Sequence, residues 1–158
     1  MMEIPVLGHL TPVREERASE ERVEFRDGVI VISRNDTPPS VLLKDFLADI
    51  LYSALWEVLS EIKREGKVDI LGDLDFEIVE KIDDKRHRVA KLKGNRIWVK
   101  LSAVALPKGV LKYILAHEIS HLITKRHDEK FKKILGTILP EYEEAERLLR
   151  EFEEVIIG

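Results

Sequence analysis

The sequence feature that most constrains the fold is H-E-I-S-H, which runs from His117 to His121. A spacing of four residues places the two imidazoles one turn apart on the same face of a helix. Apolar residues recur before and within this pattern at helical spacing, and Pro107 suits the first turn of a helix. The sequence therefore predicts a helix from Pro107 to about Thr124 with one buried face.

These residue types at this spacing indicate a metal site. Two imidazoles on adjacent turns can bind one metal ion, and H-E-x-x-H on a helix is typical of zinc enzymes. His127 follows His121 by six residues, which is enough for the chain to leave the helix and present a third imidazole. Three protein ligands leave one position for water. Glu118 is adjacent to His117, so its carboxylate can activate that water without binding the metal.

The third ligand has a second candidate, a glutamate further along the chain. The final predicted helix offers four such residues: Glu141, Glu143, Glu144 and Glu146. The metzincin pattern is disfavoured, because it needs a glycine midway between the second and third histidines, where this chain has Thr124, and a downstream methionine. Both methionines are at the N-terminus. His9 and His87 lack comparable support and are interpreted as ordinary polar residues.

The composition narrows the chemistry of the site. The chain of 158 residues has no cysteine, so disulfides, iron–sulfur clusters and thiolate zinc sites are excluded. Any metal must be bound by His, Asp or Glu. Charged residues reach 35% and glutamine is absent, a composition that resembles proteins adapted to heat.

The charges are unevenly distributed along the chain. The net charge of −4 argues against a general nucleic-acid binder. Seven Lys or Arg and no acid nevertheless fall between Lys85 and Lys100. This basic segment is either a solvated face or a rim that attracts an anionic ligand, with contact to nucleic acid the less favoured use.

No membrane partner is expected. Apolar runs stay well short of the roughly 20 residues that a membrane span requires, and the N-terminal segment is too polar for an export signal. The sequence predicts a cytoplasmic protein.

The remaining elements follow from turn signals and periodicity. Asp27-Gly28 predicts a hairpin between Arg22–Arg26 and Val29–Ser33. A long amphipathic helix is predicted from a cap at Ser40 to Gly66. Four further elements are predicted: strands Asp75–Ile82 and Arg96–Leu101, the latter after a Gly94-Asn95 turn, and helices from Asp128 to Leu139 and from Pro140 onward.

The motif and its surroundings resemble the YgjP-like metal-dependent hydrolases, whose signature is H-E-L-x-H-L followed by H-x-x-x-F. This chain has H-E-I-S-H-L from His117, then His127 and Phe131. Similar stretches continue on both sides and are quoted as they stand here: G-N-R-I from Gly94, L-P-K from Leu106, Y-I-L-A from Tyr113 and L-P-E-Y from Leu139. The resemblance extends over 29–149. It departs at Arg86–Ala90, which reads R-H-R-V-A where the family commonly has R-W-G-S-C.

The resemblance implies an α+β, zincin-like fold: one domain over residues 1–158, with a small mixed or antiparallel sheet packed on helices that include the H-E-x-x-H helix. Residues 1–21 are compatible with a flexible arm. It also implies Zn²⁺ held by His117, His121 and His127, with Glu118 as the catalytic base of a metallopeptidase acting on a peptide or protein. The SprT and WLM proteases share parts of the pattern more distantly.

Two alternatives to a peptidase remain open. Cations of the basic segment could hold phosphates, which would suit a metal-dependent hydrolase of nucleotide phosphoanhydrides. A zinc ion could instead only stabilise the fold of a non-catalytic binding module, although structural sites are usually closed by four protein ligands.

Overall fold

The computed structural model describes residues 2–70, 72–83 and 88–157, the last five by their backbone only. Lys85, Arg86 and His87, which belong to the predicted basic segment, lie outside these ranges. The strands are β1 (Met2–Val6), β2 (His9–Arg17), β3 (Arg22–Arg26), β4 (Val29–Arg34), β5 (Asp75–Val79), β6 (Ala90–Lys93) and β7 (Arg96–Lys100). The helices are α1 (Pro39–Glu65), α2 (Lys108–Ile123), α3 (Glu129–Ile138) and α4 (Tyr142–Ile157). The predicted α+β class is confirmed, with two small mixed sheets instead of one.

The first sheet has the strand order β1-β2-β4-β3. Strand β2 runs parallel to β4, and the other two pairs are antiparallel. The predicted hairpin is confirmed, because Asp27 and Gly28 both adopt positive φ angles, 51° and 78°, between β3 and β4. Residues 2–17 lie in this sheet and not in a flexible arm. The many charges of β2 obscure its alternation, in which Thr11 and Val13 are buried.

The long helix α1 packs against both sheets and α2. It begins two residues earlier than a cap at Ser40 predicts, because Pro39 occupies its first position and Pro38 precedes it without a side-chain cap. The predicted cap at Ser40 is therefore wrong. The predicted end is confirmed, since Gly66 adopts a left-handed φ of 64° and its N–H donates to the carbonyl of Lys63.

The second sheet has the order β5-β7-β6, with β5 parallel and β6 antiparallel to β7. Strand β5 stops at Val79, three residues before the predicted end, although Ile82 is buried. The edge strand β6 was not predicted, because A-K-L-K is too short and too polar to stand out. It joins β7 through the predicted Gly94-Asn95 turn, and Lys93 and Arg96 face each other across it.

The helix that carries H-E-I-S-H, α2, contacts α1, α3, α4 and β6, so it is surrounded on most sides. Its start is held by the turn between β1 and β2. The N–H of Leu7 donates to the carbonyl of Val104 at 2.7 Å, and that of Gly8 to Ala105 at 2.9 Å. A Cβ on Gly8, whose φ is 85°, would lie 2.9 Å from Cγ of Pro107. The first sheet thus fixes where α2 begins.

Candidate metal centre

The three predicted histidines meet at one point. His117 and His121 project from α2, and His127 comes from the short connection to α3. The Nε2 atoms of His117 and His121 are 3.2 Å apart. One potential ligand atom from each of the three side chains lies within 4.8 Å of the others.

Local structure explains why His127 returns to the helix. The backbone becomes extended at Thr124, where α2 ends, and Asp128 caps α3 by accepting a hydrogen bond from the N–H of Phe131 at 3.1 Å. The buried ring of Phe131 packs on all three imidazoles, with centroid distances of 5.0 Å to His117, 4.8 Å to His121 and 4.7 Å to His127. The cap and this aromatic ring hold the three side chains together.

Three observations indicate that the cluster can bind a metal ion. Two nitrogen ligands at about 2.0–2.1 Å from a tetrahedral zinc ion lie roughly 3.3 Å apart, close to the 3.2 Å between the Nε2 atoms of His117 and His121. Burial, together with the charges of His121, His127 and Arg88, lowers the pKa of His117 to about 4. Burial also lowers the pKa of His121. His117 is therefore neutral at pH 7, which is the form that binds metals.

Glu118 is buried beside the histidines, with 7% of its surface exposed. Burial raises the pKa of its carboxyl group, while the positive charge of Arg88 and a hydrogen bond from the N–H of Leu92 act in the opposite direction. A carboxyl group with a raised pKa is better matched to proton transfer near neutral pH. The predicted base is thus in an environment that suits this role.

The outer edge of β6 forms the wall opposite α2. Lys93 and Arg96 flank a two-residue turn and form the first hydrogen-bonded pair, so the main-chain groups of Leu92 and Ala90 point away from β7. Two contacts agree with this register. The N–H of Leu92 donates to Glu118, and Nε of Arg88 donates to the carbonyl of Ala90 at 3.3 Å. The strand therefore orients the glutamate directly.

Two cavities open on either side of these residues. The smaller, of about 350 Å³, has an apolar wall that includes Tyr113, Ile114 and Leu149. The larger, of about 490 Å³, extends toward Gly94 and Lys125. Three residues line both cavities: Arg88, Glu118 and His121. The two cavities are thus neighbouring parts of one cleft along the edge of β6.

Residues 81–152 match the profile of the YgjP-like metallopeptidase domain. These 72 of the 158 residues are similar to that domain. The family resemblance seen in the sequence is thereby confirmed, although the match begins at residue 81 and leaves out 29–80, which the sequence comparison had included. The similarity supports a metal-dependent hydrolase. No curated protein and no solved structure matches the chain significantly.

The YgjP-like match includes both walls of the cleft, β6 and α2, as well as α3 and most of α4. The first sheet and α1 lie outside the match and support the domain from behind. No helix in the described ranges is long and apolar enough to cross a membrane.

The alternative third ligands, which are the glutamates near and on α4, do not reach the histidines. In the described part of the chain, no carboxylate joins the group formed by His117, His121 and His127. Glu144 and Glu146 instead form ion pairs along α4 with Arg147 and Arg150. The structure brings His127, and not the downstream glutamates, to the other two ligands.

Two features of the cleft were missed in the sequence. The N–H of Leu92 near Glu118 has no local signal, because its orientation depends on the pairing of β6 with β7. Lys125 was visible only as one cation among many, whereas Arg88 belongs to the basic segment that the sequence marked as a possible phosphate site. Tyr113 is buried, with its ring 6.0 Å from that of His117.

Proposed function

We propose that this YgjP-like domain is a zinc-dependent peptidase with Glu118 as its general base. The observation that carries the proposal is the convergence of three imidazoles within 4.8 Å beside a buried carboxylate. Three histidines without a fourth protein ligand in the described ranges leave a position for water. This arrangement favours a catalytic site over a structural one, since structural zinc sites are usually closed by four protein ligands.

His117, His121 and His127 would hold the zinc ion through their imidazole nitrogens. Zinc bound there supplies a Lewis acid that polarises the substrate carbonyl and lowers the pKa of water. Glu118 accepts the proton of the attacking water and delivers it to the amine as the carbon–nitrogen bond breaks. The N–H of Leu92 favours the charged, proton-accepting form of the Glu118 carboxylate.

A peptide is the substrate that the cleft accommodates best. The outer edge of β6 has no further strand paired to it among the described residues, and it runs along the cleft beside Glu118. An extended peptide can add to such an edge through main-chain hydrogen bonds. The two cavities then receive side chains on either side of the bond that is cleaved.

Cleavage of a defined peptide mixture tests this proposal. We expect the zinc-loaded protein to generate new peptide termini, detected by mass spectrometry, and to lose this activity with a chelator and regain it with added zinc. Glu118→Gln should retain zinc but not cleave. The exposed Glu57 of α1 provides a matched control, and Glu57→Gln should cleave normally. A zinc-loaded protein that cleaves nothing, or a Glu118→Gln variant that cleaves as fast as the wild type, contradicts the proposal.

A second candidate is hydrolysis of a nucleotide phosphoanhydride. It is favoured by Arg88 and Lys125, which line the larger cavity, because cations bind phosphate groups. The other described cations of the basic segment are less available. Lys91 forms an ion pair with Asp83 at 2.7 Å, and Lys93 lies over the ring of Trp98. Nucleoside triphosphates assayed beside the peptides under the same zinc-loaded conditions separate the two functions.

A further inference from the structure

The larger cavity has an unusual charge distribution for a cleft beside a catalytic carboxylate. Arg88 and Lys125 line it, and Glu118 is the only acid among the described residues of its wall. Neither cation forms an ion pair with a carboxylate in the described part of the chain. The side-chain hydrogen bond of Arg88 goes to the carbonyl of Ala90, and its charge acts on Glu118 from beyond ion-pair distance.

Neighbouring cations on the same sheet are neutralised. Arg96 pairs with Glu77 at 2.8 Å, and Lys91 pairs with Asp83 at 2.7 Å. The C-terminal end of α2 carries partial negative charge, which attracts cations to this end of the cleft. That partial charge amounts to about half an elementary charge, so two full positive charges leave the cavity attractive to an anion.

The smaller cavity has a largely apolar outer wall. Ala90, Ile114 and Leu149 are buried and apolar, and Tyr113 adds an aromatic ring. Both cavities meet at Glu118 and His121, where the reaction would take place. A substrate lying along β6 therefore meets Lys125 on one side of the reacting bond and apolar side chains on the other, with Arg88 at the junction of the two cavities.

We propose that Arg88 and Lys125 form a subsite for an acidic side chain of the substrate, so that the enzyme prefers peptide bonds with an acidic residue on one side and an apolar residue on the other. This inference rests on the proposed peptidase function. It assigns the selection of substrate to two residues that neither bind the metal nor take part in proton transfer.

Arg88 also changes partners in this process. Its contact with Ala90 occupies the carbonyl on the outer edge of β6, where an added peptide strand would bind. An acidic side chain in the larger cavity draws the guanidinium to itself, because a charge-assisted bond to a carboxylate is stronger than one to a neutral carbonyl. Binding of an acidic residue thus frees the carbonyl of Ala90 for the peptide backbone.

Binding and cleavage of matched peptides test the subsite. Two peptides that differ only by Glu against Gln, next to the same apolar residue, are titrated against zinc-loaded Glu118→Gln protein by fluorescence anisotropy. We expect the Glu peptide to bind about two- to fivefold more tightly, as for exposed charge pairs. This preference should shrink at high salt. The wild type should cleave the Glu peptide faster by a similar factor.

Charge reversal makes the test specific. Lys125→Glu should remove the preference for Glu and favour a peptide with Lys at the same position. Lys133→Glu, on the exposed face of α3 and outside both cavities, should behave as the wild type. Arg88→Gln should also weaken the preference, and circular dichroism confirms that each variant is folded.

The outcomes separate the subsite from the peptidase activity. Cleavage of Glu and Gln peptides at equal rates, or a preference that survives Lys125→Glu, overturns the subsite and leaves the peptidase proposal standing. Hydrolysis of nucleoside triphosphates without cleavage of any peptide overturns both.

Discussion

The two helices α1 and α2 pack against each other, yet they distribute their polar side chains differently. All the buried residues of α1 are apolar: Leu51, Ala54, Leu55, Val58, Leu59 and Ile62. Its acids Glu57, Glu61 and Glu65 face Lys108 and Lys112 of α2 in ion pairs near the surface. Helix α2 instead buries Glu118 and Ser120, and it half-buries His117.

This difference separates residues that stabilise the fold from residues that serve a site. A buried polar group costs folding free energy unless it finds a hydrogen-bond partner. Ser120 finds one within the helix, since its hydroxyl donates to the carbonyl of Ala116 at 2.7 Å. The charge of Arg88 and the N–H of Leu92 only partly offset the burial of Glu118, whose pKa stays raised, and Nδ1 of His117 has no partner in the described ranges. Stability alone does not account for these two residues.

The largest effect is expected from removing the charge of the buried acid. Glu118→Gln should reduce hydrolysis by about 10²- to 10⁴-fold, the usual contribution of a general base, with zinc content unchanged. Glu57→Gln removes a surface acid of α1 and should alter the rate by less than twofold. Initial rates and zinc analysis on the same samples measure both effects. Equal losses of hydrolysis rate in the two variants would contradict the proposal that Glu118 of α2 has a catalytic role that Glu57 of α1 lacks.

Substitution of a core residue of α1 should lower the stability of the fold and leave the activity nearly unchanged. Leu55 is completely buried, so Leu55→Ala should lower the free energy of unfolding by about 2–5 kcal/mol. The rate per folded molecule should change little. Urea unfolding gives the stability, and rates normalised to the folded fraction give the activity. If activity fell while stability stayed high, α1 would have to contribute to the site itself.

The half-buried histidine should make the metal-free protein sensitive to acid. The pKa of His117 is about 4 in the fold against an ordinary value of 6.5, so the unfolded chain binds its proton at higher pH than the folded one. The free energy of unfolding should therefore fall as the pH drops from about 6.5 to about 4. NMR titration of His117 measures the midpoint directly, and a midpoint at or above 6.5 is incompatible with a buried neutral imidazole.

The smallest effect is expected at the exposed ion pair between the helices. Lys108 and Glu57 are more than half exposed and 2.6 Å apart. A double-mutant cycle with Lys108→Gln and Glu57→Gln should give a coupling energy of about 0.2–1 kcal/mol. Thermal unfolding at low and high salt checks this value, and a coupling of several kcal/mol would mean that surface charges fix the position of α2.

Local patterns predicted much of the fold. The hairpin at Asp27-Gly28, the end of α1 at Gly66 and the extent of α2 each depend on a few neighbouring residues, and all three were predicted. The short edge strand β6 was missed, because its stability comes from pairing with β7 and packing on α2. Strands β1 and β2 were missed for a related reason, since their partners lie elsewhere in the chain.

The candidate site likewise has residues that local spacing predicts and a residue whose position depends on the fold. Helical spacing brought His117, Glu118 and His121 together in the prediction, but spacing could not decide between His127 and a downstream glutamate. In the structure, the cap at Asp128 and the ring of Phe131 bring His127 to the cluster. The metal-binding role of these histidines and the catalytic role of Glu118 remain predictions.

X-ray absorption at the zinc edge decides whether the three histidines hold the metal. The purified chain, loaded with one equivalent of zinc, should give a spectrum of three imidazoles and one oxygen ligand. His127→Ala should change it to two imidazoles, whereas His9→Ala, at an exposed position at the start of β2, should leave it unaltered. A chain that retains no zinc, or a His127→Ala spectrum identical to that of the wild type, would contradict the site.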